Sequence, residues 1–374
     1  MVVAEIAARK HGLNVLILDK RDHIGGNAYS YVFPNTKIEV HKYGTHIFHT
    51  NNERIYSYLT RFTQLNSYTH VVFAVYNQKV YSLPINLHTL SQFYGSTFTP
   101  SQAKSFFDRM NKNQRIISEE SFKDKAIRMI GSDLYQAFIE GYTKKQWEID
   151  PADLPSETFT RLPVRLNYDN RYFSDKYQGI PVDGYTAWFQ NMLNNIKIKI
   201  LLNADYFELQ NKLRNKPIVF TGPIDKFYNY RFGVLKWRTL DFNFEVLGVE
   251  DFQGTSVLNY SDYEISYTRI HEFKHLHPER PNSGNTVIAK EFSRIAGIGD
   301  DPYYPVNTTA DQMLYKKYQE VSRLEKKVHF GGRLGTYKYL DMHMAIGSAL
   351  NFMENNFLEW YNKSKNALLS SGEK

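Results

Sequence analysis

An apolar run that ends on a carboxylate and is followed by paired glycines constrains the fold of this chain most strongly. Residues 16–18 are Leu, Ile and Leu, Asp19 follows them, and Gly25 and Gly26 come after a short basic segment. An acidic residue at a strand end can accept hydrogen bonds from an adenosine ribose, and glycines let the backbone approach a bulky cofactor because they have no Cβ. The stretch predicts the second half of a nucleotide-binding βαβ unit, with an ordinary strand end and a plain turn as the alternative.

The residues before this strand predict the crossover helix of the same unit. Residues 4–11 have a helical pattern that Gly12 closes, and residues 14–18 form the second strand. A complete fingerprint also has a first strand and a G-x-G-x-x-G loop, in which a helix N-terminus holds a pyrophosphate. Met1 falls about where the third glycine of that loop would stand. We therefore expect the chain to lack the N-terminal part of the unit.

Composition excludes several classes of protein. Of the 374 residues, 42% are hydrophobic and 23% charged, which is typical of a folded globular chain of two or three domains. No apolar run reaches the roughly 18 residues of a membrane span, and no signal peptide is recognisable, so we expect a cytoplasmic protein without membrane contact. The absence of cysteine excludes disulfides, a thiol nucleophile and a zinc–thiolate site.

The positive charge does not have the pattern of a nucleic-acid-binding protein. The net charge is +7, but no block of Lys and Arg is present. Single arginines instead stand among aromatic residues, which favours a cleft for a small anionic ligand whose phosphates guanidinium groups can grip. These arginines are Arg161, Arg165, Arg171, Arg238, Arg269 and Arg333.

Two histidines, His46 and His49, flank an apolar pair just after Gly44. On a loop that follows a glycine, both could point into a site, while a hydrogen-bonded, partly buried imidazole is the plainer alternative. No carboxylate or third histidine stands at ligand spacing, so we expect no metal there.

The remaining pattern predicts a helical insertion and a group of strands. Residues 71–75 and 79–83 form a hairpin, residues 87–138 are mainly helical, and residues 141–147 form an exposed loop that ends on Trp147. Strands follow within residues 196–202, 217–220, 237–242, 256–260, 265–270, 287–292 and 328–330, with a final helix over residues 343–360.

Eight short motifs follow one another in the order found in one known family. They occupy residues 21–27, 44–51, 82–89, 141–147, 161–165, 238–242, 267–270 and 332–341. With these motifs, which are spread over nearly the whole chain, the sequence resembles the UDP-galactopyranose mutases.

The resemblance implies an α/β fold of mixed α+β character, with an FAD-binding Rossmann-like domain, a helical insertion and a mixed antiparallel β-sheet. The first domain would contain residues 1–65, 217–235 and 325–374. The helical domain with its substrate loop would contain residues 87–155. The substrate-binding sheet would contain residues 66–86, 156–216 and 236–324.

The resemblance also implies an isomerase that interconverts UDP-galactopyranose and UDP-galactofuranose for galactofuranose biosynthesis and cell-surface polysaccharide. Its cofactor would be FAD, whose reduced form attacks the anomeric carbon of the sugar through N5 without net redox change. The partners would be the two UDP-sugars and, in a homodimer, a second copy of the chain.

The roles of single residues are carried over from the resemblance. The cofactor-binding residues would be Asp19, Gly25, Gly26, Asn27, His46, His49, Arg238, Arg333, Leu340 and Asp341, with His49 nearest to flavin N5. The substrate-binding residues would be Phe138, Tyr142, Thr143, Trp147, Arg161, Tyr172, Asn259, Arg269, Tyr304 and Tyr339, with the two arginines on the pyrophosphate. His46, His49, Arg269 and Asp341 would be catalytic. For any single aromatic residue here, plain core packing is the alternative.

The sequence departs from the family at two places. His70 stands where the family usually has an asparagine near the substrate and the flavin, and the first strand with its glycine loop is not found. A catalytically dead UDP-sugar-binding remnant is therefore one alternative function. A flavoenzyme of the amine-oxidase kind is another, although paired arginines and clustered tyrosines argue against an amine substrate.

Overall fold

The computed structural model describes residues 1–113, 121–156, 164–281 and 284–371. The α-helices are α1 (Val2–Arg9), α2 (Glu53–Leu59), α3 (Leu87–Tyr94), α4 (Pro100–Asn113), α5 (Phe122–Ile130), α6 (Ser132–Tyr135), α7 (Gly141–Trp147), α8 (Gly184–Leu193), α9 (Tyr206–Leu213), α10 (Ile224–Phe227), α11 (Thr309–Ser322), α12 (Gly332–Gly335), α13 (Met342–Asn355) and α14 (Phe357–Ser371). The strands are β1 (Val15–Leu18), β2 (Ser30–Val32), β3 (Glu39–His41), β4 (Phe48–Thr50), β5 (Val72–Tyr76), β6 (Lys79–Leu83), β7 (Tyr177–Gly179), β8 (Ile198–Leu201), β9 (Ile218–Phe220), β10 (Trp237–Leu247), β11 (Val257–Tyr260), β12 (Arg269–Glu272), β13 (Thr286–Ile295), β14 (Tyr304–Pro305) and β15 (Val328–Phe330).

Short polar side chains cap the N-termini of several of these helices. Asn52 caps α2, and two capping boxes, Asn86 with Thr89 and Thr308 with Asp311, start α3 and α11. In each case a side-chain oxygen accepts a backbone N–H that has no partner inside the helix.

The first unit is built from parallel strand pairs, as the Rossmann-like prediction requires. Strand β1 pairs in parallel with β8, and β9 pairs in parallel with β15. Helices α1, α8 and α13 share one core, in which Trp188 and Phe48 are buried. Since β8 and α8 pack with β1 and α1, we propose that residues 184–201 belong to this unit and not to the sheet domain.

A seven-stranded mixed sheet forms the second unit, in the order β14-β10-β13-β12-β11-β5-β6. Only β11 and β5 run parallel; the other neighbours are antiparallel. The predicted β5–β6 hairpin is confirmed, and its turn residues Asn77 and Gln78 have φ values of 47° and 60°. Such positive values suit a two-residue hairpin turn.

The helical insertion packs on the β5–β6 hairpin and is more regular than the sequence predicts. The prediction of an exposed loop over residues 141–147 is wrong, because these residues form α7, which continues a π-helical turn at Gln136–Glu140. Gly141 is a packing residue, since a Cβ there would lie 2.3 Å from the carbonyl oxygen of Ser261. The predicted single helix over 343–360 is also wrong, because it is broken at Asn356 into α13 and α14.

No helix among the described residues has both the length and the apolar character needed to cross a membrane.

A buried lysine fastens α7 to the sheet. The Lys145 ammonium, on a side chain whose residue is 8% exposed, lies 2.7–3.2 Å from the carbonyl oxygens of Tyr260, Asp262, Ile265 and Tyr267. One cation thus orders the whole turn between β11 and β12, and this turn holds α7 against the sheet.

Replacing Lys145 with methionine should destabilise the fold by about 2–3 kcal/mol, because buried carbonyl oxygens lose a charged donor. The neighbouring Lys144→Met is the matched control and should cost less than about 0.5 kcal/mol, since Lys144 is partly exposed and its ion pairs with Glu140 and Asp150 lie at the surface. Urea unfolding of the two variants measures both values, and equal losses would contradict the role given to Lys145.

Candidate functional site

The end of β1 carries the first group of predicted cofactor residues. The carboxylate of Asp19 accepts the backbone N–H of Arg21 at 3.0 Å, and the Arg21 guanidinium donates to Oδ1 of Asn27 at 2.9 Å. The same guanidinium is 2.9 Å from Asp301, which closes the loop from the other side. Asp19 is therefore held at the strand end with acceptor capacity left for a ribose.

The paired glycines between these residues provide bare backbone. Gly25 and Gly26 have φ values of 97° and 58°, in the left-handed region. A Cβ on Gly25 would lie 2.7 Å from the Phe189 ring, whereas a Cβ on Gly26 would meet nothing within 4 Å. The backbone at Gly26 is therefore open, and the Asp19 carboxylate lies at the end of the preceding strand. This arrangement fits a dinucleotide such as FAD.

An arginine and two tyrosines form a second group. The Arg333 guanidinium donates to the carbonyl oxygens of Tyr303 and Leu340 at 2.8 and 2.7 Å. It also lies over the rings of Tyr304 and Tyr339, which are stacked at 5.6 Å. The two carbonyls fix the cation, so its charge is available to a ligand without further ordering of the side chain.

His46 lies close to this cation and is neutral. The pKa of His46 is lowered to about 4, mainly by burial and in smaller part by the charge of Arg333. The Nδ1 of the ring is 2.7 Å from the carbonyl oxygen of Gly44, so this nitrogen carries the proton and donates it. The Nε2 atom therefore presents a lone pair to any donor in the site.

His49 is fixed by a residue that the sequence did not reveal. Its Nδ1 is 2.7 Å from the carboxylate of Asp175, whose other oxygen accepts a hydrogen bond from the Asn51 side chain. The ring of Phe173 stacks on the imidazole at 3.7 Å. No local pattern marks Asp175 or Phe173, because they come from a tyrosine-rich stretch about 126 positions away.

The structure also brings two further polar groups to His49. Ligand atoms of His49, Asp341 and His343 lie within 4.8 Å of one another, although the sequence offered no further ligand at metal spacing. The Nδ1 of His49 is already bonded to Asp175. We define His49, Asp175, Phe173, Asp341 and His343 as the histidine cluster; the prediction of no metal remains a prediction.

Arg269, a predicted substrate residue, belongs to a network of charged and polar side chains across two strands. Arg269 and Glu291 are direct partners in the β12–β13 pair, and their side chains approach to 3.2 Å. The other Glu291 oxygen accepts from Nε2 of His271 at 2.9 Å, and Nδ1 of His271 bonds to the Thr45 hydroxyl at 2.7 Å. Burial would raise the pKa of Glu291, but Arg269 and His271 hold it at about 2, so it remains a carboxylate.

Two further predicted substrate residues contact this network or lie beside it. The hydroxyl of Tyr142 accepts a hydrogen bond from the Arg269 guanidinium, and burial raises the pKa of Tyr142 to about 12. Asn259 pairs with Arg269 across β11 and β12, and its Oδ1 is buried without a hydrogen-bond partner among the described residues. We define Arg269, Glu291, His271, Thr45 and Tyr142 as the arginine cluster.

These groups lie near enough to affect one another. The pKa of Tyr304 is raised by burial, by Tyr339 and by Glu291, and is lowered by both Arg269 and Arg333. The arginine cluster and the Arg333 group therefore both contribute to the electrostatic environment of Tyr304.

Other predicted site residues have packing or hydrogen-bonding partners within the described chain. The Arg238 guanidinium is fully buried and donates to the Trp147 carbonyl, to Glu148 and to Ser293, so it holds the end of α7. Phe138 is 3% exposed and packs in the core of the helical insertion.

The remaining predictions are placed as follows. Trp147 is the last residue of α7 and packs against the same core, while Thr143 is buried on that helix. The backbone N–H of Tyr172 donates to the carbonyl oxygen of His70 at 2.8 Å. Arg161 lies outside the described residues.

The structure makes the acid stability of this site predictable. Burial lowers the pKa of His46 to about 4 and that of His70 to about 3, so the unfolded chain binds these protons first as the pH falls below 6.5. Stability should be complete above pH 6.5 and should fall by about 2 kcal/mol per histidine by pH 5. Urea unfolding at pH 7.5 and 5 measures the loss, and His70→Asn should reduce it by about 2 kcal/mol relative to the wild type; an unchanged loss would contradict the assignment.

Comparisons with known proteins show the family and the fold. A family profile described as UDP-galactopyranose mutase matches residues 137–339, and an NAD(P)-binding Rossmann-like domain matches residues 1–62. A probable UDP-galactopyranose mutase of Klebsiella pneumoniae is 41% identical over 94% of this chain and 90% of its own. A dTDP-fucopyranose mutase of Escherichia coli is 40% identical over 93% of both chains. 

A UDP-galactopyranose mutase of Mycoplasma genitalium is 33% identical over 92% of this chain and 89% of its own. The fold is similar to that of a solved structure of reduced UDP-galactopyranose mutase, with a TM-score of 0.71, 13% identity and coverage of 99% and 95% of the two chains. The predicted mixed fold with a Rossmann-like domain is confirmed, and the family and fold together support FAD as the cofactor. The chain is an enzyme of the mutase class and belongs to the UDP-galactopyranose mutase family.

Proposed function

We propose that this enzyme interconverts UDP-galactopyranose and UDP-galactofuranose. The observation that carries the proposal is a fixed arginine beside an orphaned amide oxygen, one strand apart on the same face of the sheet. Arg269 and Asn259 face a site that also holds neutral tyrosine hydroxyls and a second fixed cation, Arg333. Such a site suits a pyrophosphate that carries a polar sugar.

The cofactor would be held at the other end of this site. Asp19, Gly25, Gly26 and Asn27 would bind the adenosine and pyrophosphate side of FAD, and Arg333 with His46 would lie at the flavin. When it is bound, reduced FAD supplies a nucleophilic N5 for the anomeric carbon of the sugar.

Arg269 would bind the pyrophosphate and stabilise the negative charge that UDP gains as its bond to the sugar breaks. Glu291 holds the guanidinium in place before substrate arrives, so little ordering is left for the moment of reaction. Tyr304 and Tyr339 would donate their hydroxyl protons to phosphate oxygens. Burial raises the pKa of Tyr304, so it remains a protonated donor at neutral pH.

The two histidines would have different roles. Neutral His46 offers an acceptor at Nε2, because its Nδ1 proton is bonded to the Gly44 carbonyl. Asp175 orients His49 through Nδ1 and leaves Nε2 to form a hydrogen bond with cofactor or sugar. Asp341, near both His49 and His343, would complete the polar wall beside the sugar.

The direct test is conversion of UDP-galactofuranose to UDP-galactopyranose by purified enzyme with dithionite-reduced FAD, followed by chromatography. Conversion that requires the reductant would support the proposal. Retained flavin without conversion would contradict it, and UDP binding without retained flavin would favour the remnant. The relative at 40% identity makes dTDP-fucopyranose a second candidate substrate, to be compared in the same assay.

Replacing Arg269 with glutamine should lower kcat/KM by about 10²–10³-fold, because the charge that develops on the leaving UDP loses its fixed cation. Arg294→Gln is the matched control on the adjacent strand. Among the described residues, Arg294 forms ion pairs with Asp241 and Asp300 alone, so this replacement should leave kcat/KM within about twofold. Steady-state assays with reduced enzyme compare them. Similar losses in the two variants would show that Arg269 does not act on substrate.

A cytoplasmic location and a homodimer are further parts of the proposal, on the grounds of family membership alone. Light scattering of the purified protein tests the homodimer, since it distinguishes the mass of a 43.9 kDa monomer from twice that mass.

A further inference from the structure

A loop of the sheet unit, residues 296–303, reaches the strand-end loop of the first unit and has no part in the chemistry above. We call this loop the strap. It joins β13 to β14, and both of its ends are fixed to β10. The backbone N–H of Ala296 donates to the carbonyl oxygen of Trp237 at 2.8 Å. The N–H of Tyr303 donates to the carbonyl oxygen of Arg238, also at 2.8 Å, so the base of the strap moves with the sheet.

Asp300 makes the strap a preformed arm. Its carboxylate accepts the backbone N–H of Gly297 at 2.7 Å, which closes a turn, and it lies 2.6 Å from the guanidinium of Arg294 on β13. Gly299, with a φ of 104°, provides the left-handed backbone of the same turn. The following side chain, Asp301, is therefore held at a fixed position relative to the sheet.

Asp301 bridges two consecutive cations of the cofactor loop, which we define as residues 19–27. One of its oxygens is 2.9 Å from the Lys20 ammonium, and the other is 2.9 Å from the Arg21 guanidinium. Burial would raise the pKa of Asp301, but the two cations hold it below its usual range, so the group is a carboxylate at neutral pH. Its side chain is 27% exposed, so dissolved salt reaches and weakens this contact.

Arg21 connects this contact to residues that would hold the cofactor. Its guanidinium donates to Oδ1 of Asn27 at 2.9 Å and lies 4.4 Å from the centre of the Tyr43 ring. Its backbone N–H donates to the Asp19 carboxylate at 3.0 Å. The proposed function assigns Asp19 and Asn27 to FAD. Without Asp301 the guanidinium would lose a fixed partner, and the cofactor loop would be less well ordered for its ligand.

The strap also contacts the opposite end of the proposed cofactor site. Two residues after Asp301, the carbonyl oxygen of Tyr303 accepts a hydrogen bond from Arg333 at 2.8 Å. The proposed function places Arg333 beside the flavin and Arg21 beside the adenosine. One short loop thus contacts a cation at each end of FAD. The contact at Tyr303 uses backbone that is fixed to β10, whereas the contact at Asp301 uses side chains that salt can separate.

We propose that the strap holds the cofactor loop closed on FAD, and that the ion pairs of Asp301 with Lys20 and Arg21 are the contact that opens when FAD leaves. Asp301 is then a positioning residue for the cofactor and sets the rate of its release. This inference rests on the proposed function, because that function places FAD between Arg21 and Arg333. Since the contact is an exposed network of ion pairs, the release of FAD should depend on salt.

The test follows FAD release from the diluted FAD-containing enzyme by flavin fluorescence, in about 20 mM and about 500 mM NaCl. In the dilute salt, Asp301→Asn should release FAD about tenfold faster than the wild type, because Arg21 loses a charged hydrogen-bond partner. Asp301→Glu keeps the carboxylate and should stay within about threefold of the wild type. An Asp301→Asn enzyme that releases FAD at the wild-type rate would overturn the proposal.

The sign of the effect separates the strap from a simple change of charge. FAD has an anionic pyrophosphate, so by Coulomb's law alone the removal of a nearby negative charge would slow its release. Asp241→Asn is the matched control, because Asp241 pairs with Arg294 inside the sheet; this variant should stay within about twofold of the wild type. Equally fast release from both variants, or slower release from Asp301→Asn, would contradict the role of the strap.

Salt gives a readout that a general loss of folding would not produce. Because salt screens the ion pairs of the wild type, the difference between Asp301→Asn and the wild type should shrink to about threefold or less in the concentrated salt. The flavin-free proteins should unfold at nearly the same temperature, since exposed ion pairs contribute little to stability. An equal difference in both salts, or a clearly less stable flavin-free variant, would assign Asp301 a purely structural role and overturn the proposal.

Failure of this inference is distinguishable from failure of the proposed function. If the wild type retains no FAD, or retains it without converting UDP-galactofuranose, the proposed function fails. If the wild type retains FAD and converts the sugar while Asp301→Asn releases FAD at the wild-type rate, only the role of the strap fails.

Discussion

The cross-strand ion pair between Arg269 and Glu291 is the interaction on which the rest of the site depends. Glu291 is 3% exposed, and a buried carboxylate is stable only when charge and hydrogen bonds replace its lost water. Arg269 supplies the charge, and His271 and Thr268 supply hydrogen bonds. Because Thr45 completes this network, the loop before His46 is fixed to the sheet. One electrostatic requirement therefore joins the sheet to the loop that carries His46.

The helical insertion contributes to the same site through α7. Lys145 and Arg238 hold this helix at its two sides, one through carbonyl oxygens of the β11–β12 turn and the other through the carbonyl of Trp147. Tyr142 is thereby brought to Arg269. The two cations have mainly structural contacts, and they fix the position of α7 and of Tyr142 on it. Lys145 and Arg238 thus use their charges to stabilise the packing of α7.

Much of the fold follows from local patterns. The strand that ends at Asp19, the β5–β6 hairpin and the capped helices α2 and α11 are set by apolar periodicity and by polar residues at their ends. The prediction at residues 141–147 was wrong because a glycine and nearby prolines usually mark a loop, whereas Gly141 serves close packing on Ser261. Local pattern cannot show which neighbour a glycine will meet.

For the site as well, local sequence pattern shows which residue types are present but not which of them are in contact. By itself the sequence determined the residue types: the strand-end carboxylate, the glycines, the paired histidines and the arginines among tyrosines, from which family and cofactor follow. Only the tertiary structure decided which of them meet. Asp175 reaches His49 across 126 positions, and Arg238 turns to α7, because strand register and helix packing depend on contacts between distant segments. The chemistry of a side chain follows from its residue type, whereas its contacts depend on how distant segments of the chain pack together.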